Sequence, residues 1–381
     1  MVIIIIFLFS IYCSQKKSSL QYLLIYHSLV SVLLYCFAYQ GIDVTYKIDL
    51  SLPSDTYLYY SAYVSEWTKI ADQIFPIYPY FLRIIEYPYH NALFAVWGQC
   101  VLTFFLLDII IKQKKNLLFY VFFHALIYTN VNMFKDNIII IVGLLSYIIL
   151  NKTKSSLLQS GIIAGAVGLV AAVRPYMGMF FPIAILPLWV NIKNKSIKRN
   201  LFIIGCLSFV VIFVAMQDYI AGIQNTFSGD SSVQAERSSP PIALIKVLLG
   251  PTPLHYLFHE QYMQQPFLDS HTFVYTLLHI IYYVIFAFWA IYIYSNWRVI
   301  CNIYTMSISR VFILSFAMIQ MIVYIMIYGS ADIRQRAIII SFLYIFTLID
   351  NKIVIIRRMQ HNKFLIFAIV ICCLSILTFI N

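Results

Sequence analysis

The residues best suited to chemistry are charged side chains standing at the ends of apolar runs. Arg174-Pro175-Tyr176 closes one such run. Arginine stays charged and offers a planar fork of donors matched to phosphate oxygens; its plainer use at a membrane boundary is to snorkel. Phe134-Lys135-Asp136 opens another run. Lys135 can neutralise a phosphate while Asp136 orients it or a hydroxyl, or the acid simply favours the positive end of a helix. Gly329-Ser330-Ala331-Asp332-Ile333-Arg334-Gln335-Arg336 reads as a short loop. Its Arg334 and Arg336 can grip two faces of a diphosphate, or one can pair with Asp332. In Ser54-Asp55-Thr56 the carboxylate can take the proton of an attacking hydroxyl, or cap a helix that starts at Thr56. His255 and His259 lie four apart beside Glu260, which on a helix is one face. No third, separated ligand accompanies them, so no metal site is expected.

Other chemistries leave no trace. The chain has no GxxxxGK[ST] phosphate loop, no GxGxxG after a strand, no GxSxG elbow and no HExxH. Neither ATP, nicotinamide nor a serine nucleophile is indicated, and no cofactor is expected. The seven cysteines include no CxxC pair and read as small apolar residues.

What must position these residues is a set of apolar segments. Of 381 residues, 62% are hydrophobic and 11% charged. Soluble domains are about 45–50% apolar and about 25% charged. A water-soluble fold could not hide so much apolar surface, and the run lengths point to helices. Spans are expected near 1–13, 20–40, 90–111, 116–134, 137–150, 156–173, 177–192, 200–217, 272–294, 309–328, 337–350 and 364–380. The expected fold is therefore all-α: a polytopic helical membrane protein of about 12 (roughly 11–13) transmembrane helices. It reads as one integral membrane domain over 1–381. The N-terminal run has its positive charges after the apolar stretch, and reads as a retained span rather than a signal peptide.

The net charge of +11 would suggest nucleic acid in a soluble protein, but its placement explains it otherwise. Alternate links carry Lys16 and Lys17; Lys112, Lys114 and Lys115; Lys152 and Lys154; Lys193, Lys195, Lys198 and Arg199; Arg298 and Arg310; and Lys352, Arg357, Arg358 and Lys363. The positive-inside rule puts that side in the cytoplasm. No nucleic-acid partner is expected. The opposite face holds two long segments, 41–89 and 218–271, and most of the acids. The first mixes aromatic residues with charges, as helices lying in a membrane interface do. The second reads as a lid ahead of a half-buried helix at Ile242–Leu249. Gly161, Gly165 and Gly168 suggest a small-residue face that admits a neighbouring helix and holds Arg174 rigidly. No internal repeat is visible, which counts against a transporter.

In order along the chain stand Ser54-Asp55-Thr56-x-x-Tyr59, Phe134-Lys135-Asp136, Arg174-Pro175-Tyr176, Gly250-Pro251-x-Pro253 and Arg334-x-Arg336. This arrangement resembles the bacterial O-antigen and capsule polymerases of the Wzy/EpsG type, and the wider GT-C class of membrane glycosyltransferases. Some of these polymerases carry an arginine followed eleven residues later by glycine; here Ile185 and Leu248 stand at that distance from Arg174 and Arg237. The resemblance implies an enzyme of the bacterial inner membrane that polymerises polyprenyl-diphosphate-linked oligosaccharide units on the periplasmic face. It would build O-antigen, capsule or exopolysaccharide. The lipid bilayer and a chain-length regulator would be its other partners.

Such a substrate arrives activated, so the protein must supply cations for the departing phosphates and a base for the acceptor hydroxyl. Arg174, Arg334, Arg336, Lys135, and Arg83 or Arg237 suit the first role, with Tyr176 beside Arg174. Asp55 or Asp136 suits the second, with His255 and His259 in reserve. Tyr59, Tyr60 and Trp67 can stack on sugars or belong to the interfacial belt. The alternatives are a transferase moving one sugar from a polyprenyl monophosphate, and a flippase for lipid-linked oligosaccharides.

Overall fold

The computed structural model describes residues 77–88, 92–111, 135–192, 194–215, 306–325 and 333–348. It also describes Ile4, Ile6, Ile25, Ser28, Leu244, Ile245, Val247 and Leu248. Among the described residues the chain is all-helical and has no strand. The α-helices delimited among the described residues are α1 Ile77–Glu86, α2 Ala92–Ile111, α3 Asp136–Lys152, α4 Ser156–Val173, α5 Leu186–Asn191, α6 Lys195–Ala215, α7 Ile308–Val323 and α8 Ile333–Leu348. A 3-10 helix, Pro175–Ile185, joins α4 to α5. The chain divides into two compact units, residues 1–141 with 251–286 and residues 142–250 with 287–381. The boundary falls inside α3.

In the first unit, α1 packs on α2. Tyr78, Leu82 and Ile85 recur on one helix face and are buried, while Tyr80 and Ile84 on the other are exposed. The Tyr78 hydroxyl donates to Gln99 Oε1 of α2 at 3.1 Å, so the buried phenol and the buried amide satisfy each other. This amphipathic helix lies in the first long segment, and its apolar face is covered by α2.

In the second unit, the α4/3-10 pair and the α7/α8 pair make the most extensive contacts. Both are antiparallel. In the first, Gly178 approaches Ala171 and Gly168 approaches Phe181, so the turn lies at Arg174-Pro175. In the second, Phe316 meets Phe342, Arg310 meets Phe346 and Tyr324 meets Ile339. Phe316 is the centre of the core. Its ring lies 6.5 Å from Phe180, 5.7 Å from Phe312 and 5.1 Å, edge to face, from Phe342. Such aromatic pairs contribute about 0.5–1.5 kcal/mol each beyond their buried area. One ring thereby ties the 3-10 segment to α7 and α8.

Several elements match their expected spans. The fourth helix runs over Ser156–Val173, and among the described residues it alone is both long and apolar enough to cross a membrane. Helices α2 and α3 fall within two residues of 90–111 and 137–150. Three expectations are corrected. The run 177–192 is not one helix: Pro182 and Pro187 interrupt it, and the backbone winds from Pro175 as a 3-10 helix up to Ile185. Each proline lacks the N–H that an α-helix would use. Helix α8 starts at Ile333, so Arg334 and Arg336 are in its first turn rather than in a loop. Positions i and i+2 lie about 200° apart around a helix axis, so these two occupy opposite faces of the turn.

The third correction concerns the glycines. A Cβ added at Gly161 or Gly165 would meet nothing within 4 Å among the described residues, and at Gly168 it would be 3.9 Å from Phe181. The close approach occurs elsewhere, where Gly143 of α3 faces Phe342 so tightly that a Cβ would enter the ring. The glycine spacing in α4 is regular, but that face looks outward.

Candidate functional site

Arg174 is held by its neighbours in sequence. Pro175 disfavours the α conformation in the residue before it. Accordingly Arg174 leaves helical geometry, with φ −139° and ψ 97°, and α4 ends there. Two backbone hydrogen bonds fix the corner: its N–H donates to the Val170 carbonyl at 2.8 Å, and its carbonyl accepts from the Met177 N–H at 2.8 Å. Val173 and Met177 on either side are fully buried. The Arg174 side chain is itself only 4% exposed. Its guanidinium carbon lies 5.9 Å from the centroid of the Tyr324 ring, at the end of α7. A cation over an aromatic face gains about 0.5–2 kcal/mol, more as water is excluded. A permanent cation is thus carried at the tip of a helical hairpin on a rigid corner.

Tyr324 is covered from a third direction. It packs with Val247 and Ile339 in a small buried cluster, flanked by Met321, Ile325 and Leu343. Val247 comes from the second long segment, where Leu244, Ile245, Val247 and Leu248 are helical. Val247 is fully buried and Leu244 is exposed, the half-buried pattern expected there. The backbone of α7 widens into a π turn at Tyr324 and Ile325, a local irregularity common at functional sites.

The remaining sequence-derived candidates fall as follows. Lys135 and Asp136 stand at the start of α3 in the first unit, with Asp136 in the first turn and buried. Arg83 lies in the last turn of α1, also in the first unit, where a cation complements the helix dipole. Tyr176 follows Arg174 in the 3-10 helix, and Arg334 and Arg336 open α8; the side chains of these three lie outside the described residues, as do Asp55, Arg237, His255 and His259 altogether. Among the described residues no group of three or more His, Cys, Asp or Glu side chains is placed to hold a metal ion.

Two buried polar features went unread in the sequence. Arg310, counted above as a charge in a cytoplasmic link, lies in the first turn of α7 and is buried. Its guanidinium carbon lies 4.8 Å from the centroid of the Phe346 ring. Beside it, Ser309 Oγ donates to Asn151 Oδ1, and Tyr147 hydrogen-bonds to both Asn151 and Ser309. Ser307 caps the helix, accepting the Arg310 N–H at 3.4 Å. The signal for a cap was visible in Ser307; the burial of Arg310 depends on packing against α3 and α8. The second feature is Gln320, fully buried in α7, with neither end of its amide hydrogen-bonded among the described residues. A lone amide inside an apolar run is legible in sequence, but its isolation is not.

Arg310 and Tyr324 are fourteen residues apart on one helix, about 21 Å along its axis. Helix α7 therefore has a buried cation near each end, Arg310 on its own first turn and Arg174 against its last aromatic residue. Chemically, the Arg174 end offers a fixed positive charge beside an aromatic ring, an arrangement that suits an anion. Compared with known families, with curated proteins and with solved structures, the chain matches none.

Proposed function

We propose that this protein is a polytopic inner-membrane glycosyltransferase. It joins polyprenyl-diphosphate-linked oligosaccharide units into a surface polysaccharide on the periplasmic face. The single observation that carries this reading is the rigid, buried Arg174 at the tip of a helical hairpin, set over Tyr324. A departing diphosphate needs cationic stabilisation where charge develops, and a preorganised guanidinium supplies it without rearrangement. Arg174 also falls at the outer end of its span when sidedness is read from the lysine-rich links.

The membrane setting is supported by α4 and by the exposed apolar face of α6. There Leu207 is 59% and Val211 65% exposed, and Ile203, Val210 and Val214 share the stripe. In water that stripe would forgo the roughly 25 cal/mol per Å² that removal from solvent supplies. Hydrocarbon chains cover it. The lysines and Arg199 that open α6 lie at the cytoplasmic boundary in the same reading.

Transfer needs no nucleotide in this scheme, because the donor arrives activated. The C–O bond between sugar and diphosphate breaks as the acceptor hydroxyl forms the new glycosidic bond. The hydroxyl proton passes to a base, and the freed diphosphate stays with the guanidinium of Arg174. Surface polysaccharide from a gene-deleted strain, complemented with wild type or Arg174→Ala, tests this on a gel. A ladder that collapses to one repeat unit and returns only with wild type is expected. A ladder that persists with altered sugar composition points to a single-sugar transferase instead. Loss of all surface repeat with lipid-linked units retained inside points to a flippase.

A further inference from the structure

Gln320 has no structural occupation. It is 0% exposed, and neither its Nε2 donor nor its Oε1 acceptor is hydrogen-bonded among the described residues. Buried polar groups are nearly always paired, so a primary amide left unmet at both ends needs a reason. Inside a membrane protein a polar side chain within a span marks a functional position by default.

Its place in the hairpin narrows the reason. Phe312, Phe316, Gln320 and Tyr324 recur every four residues and so share one stripe of α7. Phe316 is locked by aromatic contacts with Phe180 and Phe342, whereas Tyr324 meets the Arg174 guanidinium. Gln320 is the layer between them, about one turn below the cation. Across the hairpin, the pairs Phe316–Phe342 and Tyr324–Ile339 bracket that layer on α8, and Ser341 lies within the bracket. The Ser341 hydroxyl is also buried with no hydrogen-bond partner among the described residues. Gln320 is therefore an unmet amide one helical turn from the residue that meets the cation.

The chemistry of an amide selects the ligand. A phosphate oxygen only accepts, and would answer Nε2 alone. A hydroxyl both donates and accepts, and can answer both ends of Gln320. We infer that Gln320 recognises a sugar hydroxyl of the donor while Arg174 holds its diphosphate, making Gln320 a specificity-determining residue. Val247 packs against Tyr324 within the cluster it forms with Ile339. This inference rests on the glycosyl-diphosphate reading above.

The test uses the purified full chain in lipid nanodiscs with two probes, a polyprenyl diphosphate bearing one hexose and the same lipid diphosphate without sugar. Wild type is expected to bind the sugar-bearing lipid about tenfold or more tighter. In Gln320→Met, close in volume, that gap closes while the sugar-free lipid binds as before. Arg174→Lys weakens both. Because the amide is unmet, Gln320→Met should also melt at or above the wild-type temperature without ligand, which a structural glutamine would not do. A wild type that binds both lipids equally, or neither, overturns the inference. So does a gap that survives in Gln320→Met, or a Gln320→Met that loses both lipids or melts well below wild type. If the gap behaves as expected but the gel ladder persists on gene deletion, the polymerase reading fails and the sugar contact stands. A collapsed ladder with no gap is the reverse case.

Discussion

At the scale of single residues, the central case is an arginine whose geometry is dictated by the proline after it. Pro175 drives Arg174 out of helical backbone, and burial between Val173 and Met177 then removes its freedom to move. Lysine would keep the charge but lose the flat fork and much of the stacking on Tyr324. Arg174→Lys is therefore expected to lower the transfer rate roughly 100-fold, the scale seen when one transition-state donor is removed. Its melting temperature should change by only a few degrees. Measured rates with lipid-linked donor in membranes check this; a lysine variant with full activity would mean that charge alone suffices. Gln320 is the converse case, a residue kept despite its cost. An unmet buried amide forfeits about 1–3 kcal/mol, a loss that a ligand hydroxyl would offset.

At the scale of elements, the glycines of α3 and α4 make opposite predictions. Gly143 faces the Phe342 ring at a distance that leaves no room for a methyl group. Gly143→Ala is expected to destabilise the second unit by about 1–3 kcal/mol through overpacking, unless α3 or α8 shifts. Gly161→Ala and Gly165→Ala meet open space, and should be neutral or stabilise α4 by up to about 1 kcal/mol from helix propensity. Thermal unfolding of the three variants in one detergent separates the cases. A Gly143→Ala that melts with wild type would refute the close approach. Glycine spacing points to α4 and passes over the lone Gly143 of α3. A glycine every four residues marks a face, and only the partner's position says whether that face is packed.

At the scale of the whole molecule, α7 carries polar groups at both ends and aromatic rings between them. Arg310 with Ser309 and Asn151 lies at one end, Tyr324 with Arg174 at the other. Sixteen residues of helix span about 24 Å. In the proposed orientation the turn after α3 faces the cytoplasm, and the helical turn at Leu244 faces outward. Single cysteines at Lys154 and Leu244, both exposed, are expected to label on opposite sides. In a background without reactive native thiols, an impermeant maleimide on intact cells should modify Leu244→Cys. Lys154→Cys should react only after permeabilisation. Labelling in the reverse order would invert the topology and remove Arg174 from the outer face.

Composition and run length by themselves determine that this chain is helical and apolar, because hydrophobic content and periodicity are properties of the chain alone. The end of α4 at Arg174 is equally local, since a proline constrains the residue before it wherever the two occur. The break in the run after Arg174 was written in Pro175, Pro182 and Pro187, although the apolar count concealed it. Tertiary structure alone decided that Arg310 is buried, that Gly143 rather than Gly161 meets a neighbour, and that Gln320 is enclosed without a partner. Each of these depends on what another helix places opposite, and that is set by hairpin register and the packing of Phe316 rather than by any one segment's own sequence.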